Sequence, residues 1–179
     1  MASHRSNRPS PSEYNPFYAG YVNSVPDGDV VETLINQQKA VLEWVEKTSA
    51  ADADYRYAPD KWSAKEVLGH MVDTEWIFTY RALRFARGDQ SALPGMDQDQ
   101  FMAGANFADR SLEDISAEFS GLRTASIRLL TSFSEELLSR TGTASDSPIS
   151  VRALCWIIAG HCQHHLKILK ERYVVPNHA

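Results

Sequence analysis

The sequence predicts an all-α protein, a four-helix bundle with a long crossover connection between its second and third helices. Three observations carry that expectation. Apolar residues recur at helical rather than alternating spacing in four segments, and residues with N-cap chemistry stand at the start of those segments. The link after the second segment, GDQSALPGMDQDQFMAGANFADR, runs to roughly twenty residues, well beyond an ordinary helix-to-helix turn. No strand pattern of consequence and no internal repeat stands out.

The first helix is expected over about 28–48, where Asp27 and Asp29 offer caps and Val31, Leu34, Leu42 and Val45 fall near one stripe. ADADYRYAPD reads as a loop. Ser63 and Glu66 in KWSAKEV have the spacing of a capping box, which starts a second helix over about 63–87, ended near Gly88. Ser111 with Asp114 opens the third, in which Ile115, Phe119, Leu122, Ile127 and Leu130 recur. TGTASDSPIS breaks it, and the last helix starts after Pro148 and runs until Pro176. Residues 1–16, rich in Ser, Pro and Asn, read as a flexible N-terminal arm that rests on the body through Tyr14, Phe17 and Tyr18; 17–176 form the single bundle domain.

A chain of 179 residues with 43% hydrophobic and 23% charged residues is large enough for one domain with a core of its own. Its net charge of -5, with no Lys/Arg cluster, excludes a phosphate-binding footprint and so predicts no nucleic-acid partner. No stretch has the apolar length of a membrane span, and no apolar region follows the N-terminal arginines as in a signal peptide. Cys155 and Cys162 lie on one helix, where a mutual bridge is sterically excluded, which points to a reducing, cytoplasmic compartment.

The segment GHCQHHLKILKERY places three histidines in five positions. At about 100° per residue, with His161 as zero, Leu154 lies near +20°, Ile158 near +60°, Ile168 near -20° and His165 near +40°, so His161 and His165 face the core. His164, near -60°, falls toward the rim. On the second helix, with His70 as zero, Val67 and Phe85 lie near +60°, Thr74 near +40° and Ile77 near -20°, so His70 points inward too. An i, i+4 histidine pair on one helix and a third histidine on a facing helix can close around a divalent ion. A single inward histidine is more often a hydrogen-bonded core residue, but three such rings in an apolar stripe are hard to satisfy without a metal.

The combination of KWSAKEVLGHMVDTEWIFTYRALRFARGD, LPGMDQDQF and WIIAGHCQHHLKILKERY resembles the DinB/YfiT-like family of bacterial metal-binding four-helix bundles, over about residues 28–173. The resemblance implies a metal triad of one histidine on the second helix and an HxxxH pair on the fourth, which falls on His70, His161 and His165. Its members include bacillithiol and mycothiol S-transferases, a mycothiol-dependent isomerase and metal-dependent hydrolases, and it implies a homodimer.

Three neutral imidazoles leave a divalent ion with an open position, the pattern of a catalytic site, and imidazole accepts Zn²⁺, Ni²⁺ or Fe²⁺. The expected function is therefore metal-dependent transfer of a low-molecular-weight thiol to an electrophilic small molecule. Hydrolysis by a metal-activated water is the first alternative, and a non-enzymatic metal-binding or stress-response protein the second. Asp73, near -60° from His70, and His164 are the candidate catalytic residues. Asp97 and Asp99 lie in the crossover and offer either chemistry or loop caps. Glu75, near +140°, reads as an inter-helix or surface residue, Arg81 as pairing a buried acid, and Met71, Trp76, Phe78, Met102 and Trp156 as packing.

Overall fold

The computed structural model describes residues 7–173. Four long helices form its body: α2 (Val30–Glu46), α4 (Ala64–Ala86), α6 (Leu112–Thr131) and α8 (Val151–Arg172). Short helices lie between or before them: α1 (Ala19–Ser24), α3 (Ala50–Ala53), α5 (Gln98–Gly104) and α7 (Glu135–Ser139). Each long helix begins where its sequence supplies a cap. Asp29 accepts from the Val31 amide at 2.8 Å, Ser111 from Asp114 at 3.1 Å and Ser150 from Ala153 at 2.9 Å. At α4 the capping box is complete: Ser63 accepts from the Glu66 amide at 3.3 Å, and the Ser63 amide donates back to Glu66 at 2.6 Å.

The order of the helices around the bundle differs from their order in sequence. α4 packs against both α6 and α8, and α2 packs against the same two, so α2 faces α4 across the bundle diagonal rather than beside it. The long crossover joins two adjacent helices, α4 and α6, while the shorter links join diagonal ones. Among the described residues, no helix is long and apolar enough to cross a membrane.

Three expectations need correction. TGTASDSPIS is not merely a break: it contains β1 (Thr141–Ala144) and β2 (Ser147–Ser150), an antiparallel hairpin in register Thr141↔Ser150 to Ala144↔Ser147. Its two-residue turn, Ser145 at φ 52° and Asp146 at φ 58°, has the left-handed backbone that matches strand twist, although neither residue is glycine. The N-terminal arm is held from Arg8 onward, while residues 1–6 lie outside the described part, as do 174–176 at the other end. Arg8 donates to the carbonyls of Val22 and Val25, pairs with Asp27 and lies 4.5 Å over the Trp156 ring. Tyr14 is buried, and Glu13 accepts from Ser150 at 2.7 Å, so specific polar contacts hold a segment whose composition suggested disorder. Finally, Trp76 is 52% exposed on the outer face of α4, whereas Met71, Phe78 and Trp156 are buried as expected.

The apolar core is in two parts. One gathers Val22, Leu34, Phe85 and Trp156; the other gathers Val41, Leu68, Phe119 and Leu169. Between them runs a polar layer. Arg123, fully buried, grips the Glu75 carboxylate with bonds of 2.7 to 3.0 Å and donates to the Leu34 carbonyl at 3.2 Å, while Gln37 donates to the Ala159 carbonyl at 2.8 Å. The metal-type histidines open at the level of this layer.

Candidate metal centre

His70 comes from α4, and His161 and His165 come one turn apart from α8, the helix it packs against. Their potential ligand nitrogens all lie within 4.8 Å of one another. The Nε2 atoms of His70 and His161 are 3.0 Å apart, and the ring centroids of the three pairs are separated by 4.4 to 4.9 Å. Tetrahedral coordination at about 2.0–2.1 Å places ligand nitrogens roughly 3.3 Å apart, a spacing that falls within the range this set spans.

Both histidine-bearing turns are preceded by a glycine that admits a neighbour. A Cβ on Gly160 would lie 2.2 Å from the backbone oxygen of Tyr21, and one on Gly69 would lie 2.5 Å from the Phe107 ring. Gly160 thus lets α1 press against α8 beside His161. Gly160→Ala is expected to lower stability by about 3 kcal/mol, since the obstacle is backbone and cannot rotate away; thermal unfolding measures it, and an unchanged melting temperature contradicts it.

Burial holds all three imidazoles in the neutral form that binds metal. Desolvation brings His70 down to about 4 and His165 to about 3, and it drives His161 well below its ordinary value, with the neighbouring histidines adding to the effect. The His165 Nδ1 is buried without a hydrogen-bond partner. A buried, neutral, partly unsatisfied set of converging nitrogens fits a divalent ion.

The same shifts fix a pH dependence for metal-free protein. Unfolded histidine titrates near 6.5, so the stability held by neutral His70 and His165 is complete above that pH and is lost as pH falls toward their folded values. The slope approaches about 1.4 kcal/mol per pH unit for each histidine. Urea unfolding of chelated protein at pH 7 and pH 5 is expected to show this loss, and a flat profile contradicts it.

A cavity of about 250 Å³ opens above His70 and His161, walled by Tyr18, Tyr21, Phe78, Arg81, Met96 and Ser145 among others. A second, of about 260 Å³, opens above His165 between Trp62, Tyr57, Tyr173 and Asp99. Gln98, at the start of α5, lines both. The crossover therefore covers the triad, as its length suggested.

The other candidates fall at different distances. His164 is exposed, its ring 4.9 Å from that of His165 and 5.5 Å from Tyr21. It lies outside the converging set, at the rim. Asp73 lines neither cavity, and burial with the Glu118 charge raises its pKa, partly offset by Arg110. Asp97 caps α5, accepting from Asp99 at 3.0 Å and Gln100 at 3.1 Å, and Asp99 lines the second cavity. Glu75 is inter-helical. Arg81 pairs with no acid among the described residues; its Nη2 donates to the Pro94 carbonyl at 2.7 Å. Burial pushes the Cys155 thiol up to about 12 and raises Cys162 as well, so neither offers a thiolate.

Sequence reasoning missed Tyr21, which stands edge-on to both His161 and His164 with ring centroids 5.6 and 5.5 Å away. The only signal was its place in an aromatic cluster, PFYAGY, whose packing partner on α8 lies far along the chain.

No curated protein matches the chain. Among solved structures, the fold is similar to that of YfiT from Bacillus subtilis, described as a probable metal-dependent hydrolase with an unusual four-helix bundle topology. The two superpose with a TM-score of 0.71 over 89% of this chain and 91% of that one, at 16% identity. That likeness supports the fold. The model of the DinB superfamily matches residues 33–169, a span that holds all three converging histidines and the crossover above them, and the chain belongs to that superfamily.

Proposed function

We propose that the protein is a metal-dependent enzyme that transfers a low-molecular-weight thiol to an electrophilic small molecule, with His70, His161 and His165 as the metal ligands. The observation that carries this reading is the cavity above His70 and His161, with neutral imidazoles at its floor and aromatic walls, while the carboxylates of Asp60 and Asp99 line only the second cavity, above His165. A divalent ion held by three imidazoles supplies positive charge at an open position, which lowers the pKa of a thiol or water brought there. Thiol transfer needs little more than that charge and an aligned electrophile, whereas hydrolysis commonly adds a general acid or base.

The chain's own residues supply the remaining parts. Phe78, Ile77 and Met96 keep the cavity apolar and limit water. Burial raises the pKa of Tyr21, assisted by Tyr18, so its phenol stays protonated at the cavity wall and offers a donor to a bound molecule. His164, neutral at pH 7 because burial and Lys167 lower its pKa, can relay a proton between the rim and solvent. All-nitrogen ligation accommodates Zn²⁺, Ni²⁺ or Fe²⁺.

Hydrolysis is the second reading, favoured by the description of YfiT. Conjugation assays separate the two: metal-loaded and chelated protein are compared with bacillithiol, mycothiol, glutathione and cysteine as donors against a panel of electrophiles. The proposal expects a conjugation rate that chelation removes. Ester or amide cleavage without conjugation promotes the hydrolase, and silence in both promotes a non-enzymatic metal-binding or stress-response protein.

A cytoplasmic location belongs to the same proposal, supported by two unpaired buried thiols, Cys155 and Cys162. So does a homodimer. Trp76, Tyr80 and Leu83, exposed and spaced along one face of α4, give a second copy an apolar stripe to cover. Light scattering of the purified protein tests it.

A further inference from the structure

Arg81 is a buried charge with no opposite charge to answer it. It is 4% exposed, and its Nη2 donates to the Pro94 carbonyl at 2.7 Å and to the Ser145 hydroxyl at 3.4 Å, with Tyr18 lining the same cavity. Its guanidinium carbon lies 5.6 Å from the Phe78 ring centroid. None of these groups is charged, and among the described residues no carboxylate forms an ion pair with it. Arg123 shows the contrast, since it is fully buried and holds Glu75 through three hydrogen bonds, whereas Arg81 lines a cavity. A guanidinium offers five donors and stays protonated in proteins, so Arg81 keeps both its charge and spare N–H groups. An isolated buried charge is costly unless something pairs with it.

The surrounding backbone holds this arrangement in place. Leu93 in the crossover bridges Ala144 on the hairpin, its amide donating to the Thr143 carbonyl at 2.9 Å and its carbonyl accepting from the Ser145 amide at 3.1 Å. The left-handed turn at Ser145 and Asp146 then presents the Ser145 hydroxyl to Arg81. Crossover and hairpin tip thus form one wall of the cavity that has His70 and His161 at its floor. Phe78 spans the interval, with its ring 6.5 Å from that of His161 and 5.6 Å from the guanidinium. Those two steps set only an upper limit on the separation, one no longer than roughly the reach of an extended tripeptide.

We propose that Arg81, with Ser145 and Tyr18 beside it, is a carboxylate-binding subsite, and that the substrate is a small molecule with a carboxylate at that end and its reacting group at the histidines. This rests on the reading of the cavity as the substrate chamber. A single guanidinium matches the charge and planar fork of one carboxylate, whereas a phosphate monoester brings nearly two negative charges against one positive. The small volume, about 250 Å³, fits a compact ligand.

The test is calorimetric and needs no turnover. Hexanoate and hexanamide are titrated into metal-free wild-type protein, into Arg81→Met and into Arg81→Lys, with butyl phosphate as a further ligand. The expected result is a preference of wild type for hexanoate over hexanamide of about tenfold or more, the scale of a charge-assisted hydrogen bond. Arg81→Met should reduce that preference to about twofold or less, and Arg81→Lys should keep part of it. Equal binding of acid and amide by wild type, no binding of the acid, tighter binding of butyl phosphate, or a preference that survives in Arg81→Met each overturns the proposal. If the Met variant fails to fold, the wild-type comparison and the Lys variant still decide it. Because the metal is absent, a preserved carboxylate preference alongside failed conjugation assays overturns the thiol-transfer reading and leaves the subsite standing.

Discussion

Arg123→Met is expected to lower folding stability by about 3–5 kcal/mol. The substitution keeps most of the side chain's length and apolar bulk but strands the Glu75 carboxylate, which is 3% exposed between the two halves of the core. It also leaves the Leu34 carbonyl without a donor that reaches it at 3.2 Å. Glu75 cannot turn to solvent, so it must take up a proton or draw water inward, and either response costs stability. Removing both charges together, as in Arg123→Met with Glu75→Leu, should cost less than the single change, because no uncompensated ion remains. Urea unfolding of the wild type, the single variant and the double variant measures this. A single variant within about 1 kcal/mol of wild type contradicts the placement of this pair in a dry layer.

His161→Ala is expected to abolish tight metal binding and any conjugation activity together. His161 is one corner of a near-equilateral triangle of rings, its Nε2 3.0 Å from that of His70 and its helix stripe shared with His165. Its loss leaves two histidines from different helices with no third nitrogen to close the set, so affinity should fall by about a thousandfold or more. The folded state should survive, because the helices around it rest on two extensive apolar clusters. Metal titration and circular dichroism on the same sample separate these outcomes. Retained tight binding, or loss of helix without loss of metal affinity, contradicts the assignment.

Much of this was legible in the sequence because the relevant physics is local. Ser63 and Glu66 mark a helix start three residues apart, and the complete capping box forms there. The phase of His161 and His165 on one stripe and of His164 off it is a property of a single helix, and the buried pair and the exposed third follow that phase, with His165 only partly covered. The features that escaped depend on contacts across long stretches of chain. Nothing local says that α2 faces α4 across the diagonal, or that Arg123 is the partner of Glu75, 48 residues away. The hairpin of Thr141–Ser150 was hidden because its turn is Ser-Asp rather than a glycine-bearing pair. Asp73 was left undecided for a related reason: a position about 60° from His70 is the edge of the stripe, and whether an edge residue turns to the cavity or to a neighbouring helix is decided by which helix packs there. Here that helix is α6, with Glu118 and Arg110 setting the environment of Asp73.

The central claim is that His70, His161 and His165 form one metal-binding centre. Its most direct measurement is metal content combined with X-ray absorption spectroscopy of untagged protein, alongside His165→Ala and His164→Ala. The account predicts one divalent ion per chain with nitrogen ligation, lost in His165→Ala and retained in His164→Ala. A protein that binds no ion when supplied with zinc, nickel or iron, or one that loses its ion in His164→Ala while keeping it in His165→Ala, contradicts it.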